Sequence, residues 1–235
     1  KRQAPARELP YYQRYNSSVE YQALQLSAAQ SERLAQFLRH SVEPEQREYL
    51  YDYFADNCST RVRDALDYAL AGGLGTDSET IELGTSLRLS ALRMVQDDFW
   101  LYLGMQLGLG RNTDRPINLW QGFYLPYVLK DALNNGDLQV AALVGPTQVW
   151  SAGLAVPTEF RVPYMRFLLL GLGTLLFLSL PRLLNTKPQA SWVYWPCRIW
   201  WFFSGIAGLV LCFLWFATDH QAAWLNENIL LLGPW

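Results

Sequence analysis

The stretch IWWFFSGIAGLVLCFLWFAT, residues 199–218, decides the architecture of this chain. It contains no charged side chain over about 20 residues, and as an α-helix it would be about 30 Å long. That length matches the hydrocarbon thickness of a lipid bilayer. We therefore predict a membrane-spanning helix here.

A second apolar segment lies upstream, from Phe167 to Leu184. It is long enough to span a bilayer if the Arg182 side chain reaches back to the polar interface. Aromatic residues crowd the connection between the two segments, as expected for an interfacial belt. They are Trp192, Tyr194, Trp195, Trp200 and Trp201.

These patterns predict a membrane region over residues 161–235 that contains a transmembrane helical hairpin. Its helices are expected near 167–184 and 199–218, and a third is expected to begin near 228–235. The loop between the first two carries Arg182, Lys187 and Arg198, whereas Asp219 and Glu227 but no Lys or Arg follow the second helix. The positive-inside rule then places this loop in the cytoplasm and the preceding domain outside.

Residues 1–160 mix polar and apolar positions, and we predict an α+β domain there that is mostly helical. Ser27 is a predicted N-cap for a helix that ends near His40, and a strand is expected just before it, over 21–26. Asp56-Asn57 precede a predicted helix from Cys58 to Ala71. Other helices are predicted over 86–95, 98–108 and about 118–133, with an extended segment over 138–150.

Composition excludes several classes of function. The net charge of −2, without a basic patch, does not favour nucleic acid. Gly72-Gly73-Leu74-Gly75 is not followed by Lys-Ser or Lys-Thr, so it does not indicate a nucleotide site. Only His40 and His220 could supply imidazole ligands, and they are far apart. We therefore expect no metal, cofactor, nucleotide or nucleic acid.

Cys58 is the candidate catalytic residue. At a helix N-terminus, a thiol faces unpaired backbone N–H groups and the positive end of the helix dipole, and both favour the thiolate. Arg61, one turn on, could reinforce this effect, Asp56 would oppose it, and Asn57 could cap the helix. The alternative is that Cys58 is a small buried hydrophobic residue.

Tyr51 and Tyr53 lie in an aromatic-rich segment, Tyr49–Phe54, that we predict to be a short strand. Alternate residues of a strand point to one face, so these two hydroxyls would point the same way. They would either pack in the core or face a substrate oxygen. A base would also be needed beside a cysteine nucleophile. His40 is better explained as a partner of a helix C-terminus.

The pattern Tyr51-x-Tyr53-x-x-Asp56-Asn57-Cys58-Ser59-x-Arg61 resembles the signature of the Lnb N-terminal periplasmic domain family. Segments upstream and downstream, such as Glu20-Tyr21-x-x-Leu24 and Trp100-Leu101-x-x-Gly104, are similar too. The resemblance implies a permuted papain-like domain, partial in this fragment, followed by membrane helices. It also implies a protein of the bacterial inner (cytoplasmic) membrane, multi-pass, with its N-terminal domain in the periplasm.

The family takes its name from a bacterial lipoprotein N-acyltransferase. By resemblance, Cys58 would take an acyl chain from a phospholipid or lipoprotein and pass it to the amino group of a lipoprotein. Asn57, Tyr51, Tyr53 and Arg61 would support it or face the substrate. The family's Gly-His segment does not precede Cys58, and we interpret it as removed with the signal peptide, so the fragment alone is expected to be inactive.

Two other functions are open on the sequence. The first is an envelope cysteine hydrolase, either a peptidase or an amidase, which would have a polar cleft. The second is a non-enzymatic membrane-anchored interaction domain with a structural cysteine. The expected partners are membrane lipid and, for the transferase, a lipoprotein acceptor.

Overall fold

The computed structural model describes residues 9–135, 138, 144–151, 153, 156–184 and 194–232. The chain forms two compact units. The first comprises the residues up to Thr85 together with Pro116–Pro157, and the second comprises Ser86–Arg115 and Thr158 onward. Predictions that concern Lys187, Trp192 and most of the extended segment lie outside the described residues.

The first unit combines helices with two small two-stranded sheets, so the α+β prediction is confirmed. β1, Val19–Tyr21, pairs antiparallel with β4, Gln148–Ser151, and β2, Glu82–Ser86, pairs with β3, Pro116–Asn118. The described helices of this unit are α1 Leu9–Arg14, α2 Ala28–Ser41, α3 Cys58–Ala69, α4 Gly73–Ser78, α7 Leu119–Gly122 and α8 Pro126–Asn135.

The two helices predicted from capping residues are confirmed. Ser27 caps α2 through a reciprocal pair: its Oγ accepts from the Gln30 N–H at 3.3 Å, and the Gln30 Oε1 accepts from the Ser27 N–H at 2.8 Å. Asn57 caps α3. The strand predicted over 21–26 lies earlier, at Val19–Tyr21, and only an isolated bridge from Leu24 to Val144 extends the pairing.

The single helix predicted over 118–133 is wrong, because two helices occupy this region. α7 ends at Gly122, and α8 begins at Pro126. Proline lacks a backbone N–H and disfavours helical geometry in the residue before it, so it interrupts one helix and starts the next. The break matters because it exposes the carbonyl groups of Phe123 and Tyr124 to the start of α3.

The core of the first unit lies where α3, α4, α7 and α8 meet. Its largest contributions come from Leu74 and Phe123, both fully buried, and from Leu66 on α3. Arg63, also on α3, lies over the Trp120 ring, 4.1 Å from its centroid. The cysteine helix is therefore packed along its length against the main apolar cluster.

The second unit contains α5 Leu87–Met94, α6 Phe99–Gly108, α9 Tyr164–Leu183, α10 Trp195–Phe216 and α11 Ile229–Leu232. Within the described residues, α10 alone is long and apolar enough to cross a bilayer, with 22 residues and a mean hydropathy of 2.0. The apolar part of α9 is shorter, Tyr164–Leu180. The two helices contact each other where Phe177 and Trp195 meet edge to face at 5.5 Å.

These observations bear out one spanning helix of the predicted hairpin. A short helix, Ile229–Leu232, lies within the segment 228–235, where the start of a third helix stays a prediction. The chain packs closely just before it, because the Gly110 N–H donates to the Ala222 carbonyl at 2.7 Å. Asn226 is buried there and donates to the Leu107 and Gly108 carbonyls at the end of α6.

Candidate functional site

Asn57 fixes the start of the cysteine helix. Its Oδ1 accepts from the N–H groups of Ser59 at 2.8 Å and Thr60 at 2.9 Å. Its Nδ2 donates to the carbonyls of Tyr53 at 2.9 Å and Tyr124 at 3.0 Å. Because the side chain is buried and has partners for both ends of its amide, Asn57 supports the site and does not face a substrate.

A second anchor lies one residue beyond the cysteine. The Ser59 hydroxyl donates to the Phe123 carbonyl at 2.6 Å. Together with the bond from Asn57 to Tyr124, it holds the first turn of α3 against the break between α7 and α8. Because Asn57, Ser59 and Thr60 are buried while Cys58 is exposed, the thiol is the side chain of this turn that faces outward.

The exposure of Cys58 excludes the alternative of a small buried hydrophobic residue. The neighbouring helix N–H groups of Ser59 and Thr60 are both taken by Asn57. Among the described residues, the N–H of Cys58 itself has no acceptor. An oxyanion that forms beside the thiol would therefore meet this N–H rather than the ones further along the helix.

Cys58 lines an apolar groove of about 480 Å³ between α2 and α3. One wall is formed by Leu34, Phe37 and Leu38 from α2, and the other by Val62, Ala65 and Leu66 from α3. The volume falls in the range of roughly 300–1,000 Å³ that is typical of small-molecule sites. Ser41, Gln46, Arg47, Tyr49 and Arg61 also line the groove, so two apolar walls are combined with polar groups, which suits a hydrocarbon chain that ends in a polar group.

Arg61 also lines the groove, but its charge is already paired. Its Nε and Nη2 donate to the two carboxylate oxygens of Asp56 at 2.6 and 2.8 Å, and its guanidinium lies 4.1 Å from the centre of the Tyr49 ring. Arg61, which was predicted to assist Cys58, is therefore engaged with Asp56 and Tyr49, and it supplies a polar group to the groove.

The predicted strand at Tyr49–Phe54 is wrong, because the segment forms a turn. The Asp52 carboxylate accepts from the N–H groups of Phe54 and Ala55, both at 2.8 Å, and the Asp52 and Asp56 backbones pair across the turn. Tyr51 and Tyr53 therefore do not share one strand face. Both side chains are substantially exposed, but neither lines the groove.

Tyr53 belongs to an aromatic cluster with Phe54 and Tyr124. Its ring lies 4.9 Å from that of Phe54 and 5.8 Å from that of Tyr124. Burial, and secondly the neighbouring Tyr51, raise the pKa of the Tyr53 hydroxyl above its ordinary value. Tyr53 therefore remains a neutral hydrogen-bonding group at physiological pH, beside the turn that leads into Cys58.

Among the described residues of the first unit, His40 does not line the groove at Cys58. The Nδ1 of His40 contacts Glu43 at 2.9 Å, near the end of α2. The Nδ1 of His220 lies 3.1 Å from the Thr218 hydroxyl in the second unit. In the part of the chain that the structure describes, no cluster of three His, Cys, Asp or Glu side chains could hold a metal ion.

Sequence reasoning missed the groove and its second wall. The spacing of Leu34, Phe37 and Leu38 predicted a helix face, but nothing in that spacing showed that the face would lie opposite Val62. The role of the Phe123 and Tyr124 carbonyls was also missed. Pro126 was the local signal for these carbonyls, because a proline interrupts a helix. The carbonyls just before the interruption have no N–H partner within a helix and can accept from other groups.

The fold and the site define a class of protein: a membrane protein whose α+β domain presents an exposed cysteine at a capped helix start. Comparison with known families makes the assignment specific. The family model described as the Lnb N-terminal periplasmic domain matches residues 6–94, and that of the Lnb transmembrane domain matches residues 157–235. The chain belongs to the Lnb family, as the resemblance indicated. No curated protein and no solved structure matches it significantly.

Proposed function

We propose that this chain is part of a membrane-anchored cysteine acyltransferase that acts on lipid or lipoprotein through a thioester on Cys58. The observation that carries the proposal is that an exposed thiol, at a rigidly held helix start, lines an apolar groove. In this proposal the protein is a multi-pass protein of the bacterial inner membrane, and its periplasmic domain is of the permuted papain-like kind.

The proposed reaction has two steps. In the first, the Cys58 sulfur attacks the carbonyl carbon of an ester-linked acyl chain. A thioester forms, the ester bond breaks, and the alcohol leaves with a proton. In the second, the amine of the acceptor attacks the thioester carbonyl. An amide forms, and the thiol regains its proton as Cys58 is released.

The groove favours an acyl chain over a polar substrate. A peptidase or amidase acting through the same thiol would require a cleft that binds peptide groups by hydrogen bonds. Leu38, Val62 and Leu66 instead offer apolar surface beside Cys58. Burial of each methylene of an acyl chain in such a groove is worth about 0.8 kcal/mol, so a long chain would be held firmly.

The architecture supports a substrate that resides in the bilayer. A catalytic domain covalently joined to a spanning helix meets membrane lipids at a high effective concentration. The N–H of Cys58 would supply one hydrogen bond to the tetrahedral oxyanion in each step. Tyr53 supports the site through its backbone carbonyl, which accepts from the Asn57 Nδ2 at 2.9 Å.

The test is a mass spectrum of the Cys58 peptide from the full-length protein, purified from membranes and analysed with and without hydroxylamine. The expected result is a mass increment of fatty-acyl size on Cys58 that hydroxylamine removes, because hydroxylamine cleaves thioesters. The peptide that contains Cys212 serves as the internal control, since this cysteine lies within the membrane helix α10.

Two results would contradict the transferase. An unmodified Cys58 that reacts rapidly with an alkylating reagent, in the presence of lipid, would favour the hydrolase. If Cys58→Ala left the cellular phenotype of the protein unchanged, the cysteine would be structural and the domain would be a non-enzymatic interaction module.

A further inference from the structure

A second cavity, of about 520 Å³, lies within the second unit, and the cysteine site does not use it. It opens beside the C-terminal end of α6 and the segment Asn226–Asn228. In contrast to the groove, most of its side chains are polar or charged. They are Arg88, Gln106, Arg111, Asp114, Asn226, Glu227 and Asn228.

The side chains of Arg88 and Asn226, at the base of this cavity, already have hydrogen-bond partners within the protein. The Arg88 Nε donates to Asp114 Oδ1 at 2.6 Å, and its Nη2 donates to the Leu109 carbonyl at 2.9 Å. Asn226, which is 1% exposed, donates to the Leu107 carbonyl at 2.7 Å and accepts from the Asn228 N–H at 3.0 Å. These groups neutralise the negative end of α6 and give the cavity a fixed shape.

At the rim of the cavity, two charged side chains are exposed to solvent and interact mainly with each other. Arg111 and Glu227 face each other at 3.5 Å, and their side chains are 74% and 71% exposed. Among the described residues, neither side chain has another partner. An ion pair at this distance and with this exposure contributes little to stability. A ligand with two charged groups could therefore bind Arg111 through its negative group and Glu227 through its positive group.

The charges of the lining select the class of ligand. Arg88 and Arg111 balance Asp114 and Glu227, so the cavity has no net charge. Because attraction and repulsion offset each other there, neither a simple anion nor a simple cation gains a net electrostatic attraction. A zwitterion can form an ion pair with Arg111 through its negative group and with Glu227 through its positive group.

The position of the cavity along the chain points to the source of that zwitterion. Asn226–Asn228 follow the membrane helix α10, which ends at Phe216, and directly precede the short apolar helix Ile229–Leu232. Polar residues that flank the end of a membrane-spanning helix lie at the level of the lipid headgroups.

We propose that this cavity binds the headgroup of a zwitterionic phospholipid, with its phosphate on Arg111 and its ammonium group on Glu227. The side-chain amides of Gln106 and Asn228 add neutral hydrogen-bonding groups beside them. The site is independent of Cys58, and its role is to hold a structural or regulatory lipid against the membrane domain.

The experiment is native mass spectrometry of the full chain in detergent, with equal amounts of phosphatidylethanolamine and phosphatidylglycerol. The first lipid carries the ammonium group and the second does not. We expect phosphatidylethanolamine to be retained about tenfold more strongly, which corresponds to one charge-assisted hydrogen bond. Glu227→Gln should remove this preference, and Arg111→Gln should weaken retention of both lipids. Arg115→Gln, at an exposed position outside the cavity, is the matched control.

Equal retention of the two lipids, or a preference that survives Glu227→Gln, would overturn the proposal. Soluble glycerophosphoethanolamine, added at the same concentration, distinguishes the source of the ligand. If it displaces the lipid completely at this equal concentration, the acyl chains add nothing to binding, and the assignment of a lipid as the occupant would be overturned. The result does not depend on Cys58 acylation, so the two proposals fail separately.

Discussion

The Nδ2 of Asn57 donates to the carbonyl oxygen of Tyr124 at 3.0 Å, which joins the start of the cysteine helix to a segment 67 residues further along the chain. The same side chain caps the helix through Oδ1. One buried amide therefore sets both the direction of α3 and its position against α7 and α8, and so decides where Cys58 lies.

Asn57→Ala should lower the free energy of unfolding of the first unit by about 2–4 kcal/mol, because the cap is lost and the carbonyls of Tyr53 and Tyr124 lose a donor. Chemical denaturation of the full chain measures this change. Asn57→Asp keeps the cap acceptor but places a buried carboxylate oxygen against the Tyr53 and Tyr124 carbonyls, so its loss should be at least as large as that of Asn57→Ala. Ser27→Ala removes an exposed cap and is the control, with an expected loss of about 1 kcal/mol. If Asn57→Ala cost no more than Ser27→Ala, the anchoring role would be refuted.

Val62→Asp should reduce acylation of Cys58 at least about tenfold, because a charge in the groove disfavours an acyl chain. Val62 is 54% exposed, so the fold should tolerate the change. Val42→Asp, at a site that is 73% exposed and outside the groove, is the matched control and should leave acylation unchanged. Hydroxylamine-sensitive mass on the Cys58 peptide is the measurement. Equal acylation in both variants would show that the chain does not bind in this groove.

The sequence predicts local features of the site well. Asp56-Asn57-Cys58 predicted the start of α3, because capping depends on residues three or four apart. The turn at Asp52 was missed, because alternating aromatic residues resemble a strand until the Asp52 carboxylate binds the following N–H groups. The Tyr124 contact could not be predicted, since hydrogen bonds between distant segments depend on the packing of the whole unit. The groove depends in the same way on how α2 packs against α3.

Gly110→Ala should destabilise the second unit by about 1–3 kcal/mol, because a Cβ at Gly110 would collide with the carbonyl oxygen of Trp224. The backbone cannot move away without breaking the bond from the Gly110 N–H to Ala222. Thermal unfolding of the detergent-solubilised chain checks this. Gly104→Ala is the control, and it should change stability in the opposite direction. No neighbouring atom lies within 4 Å of a Cβ added at Gly104, and alanine favours a helix over glycine, so this variant of α6 should be more stable by up to about 1 kcal/mol.

Lys130 makes stability depend on alkaline pH. Its hydrogen bond to Glu20, at 2.8 Å, is the main cause that raises the pKa of Lys130 above its ordinary value of 10.5. A raised folded-state pKa stabilises the fold below 10.5 and ceases to do so as the pH passes the raised value. Lys130→Gln should therefore be less stable than the parent by up to about 1 kcal/mol near neutral pH. This difference, measured by chemical denaturation, should vanish at pH values above the raised pKa. A difference that is constant with pH would show that the ion pair does not contribute.

Cys58 should react with a maleimide reagent faster than Cys197 or Cys212, because it is exposed whereas the other two are half-buried in α10. Peptide mapping after brief labelling of the folded chain gives the order of reaction. Adding a single-chain lipid should slow labelling of Cys58 if its acyl chain occupies the groove, and should do so far less in Val62→Asp. The comparison separates exposure from binding: fast labelling tests the position of the thiol, and protection tests the groove. A Cys58 that labels only after denaturation would contradict the structure of the first turn of α3, and with it the basis for placing chemistry at this cysteine.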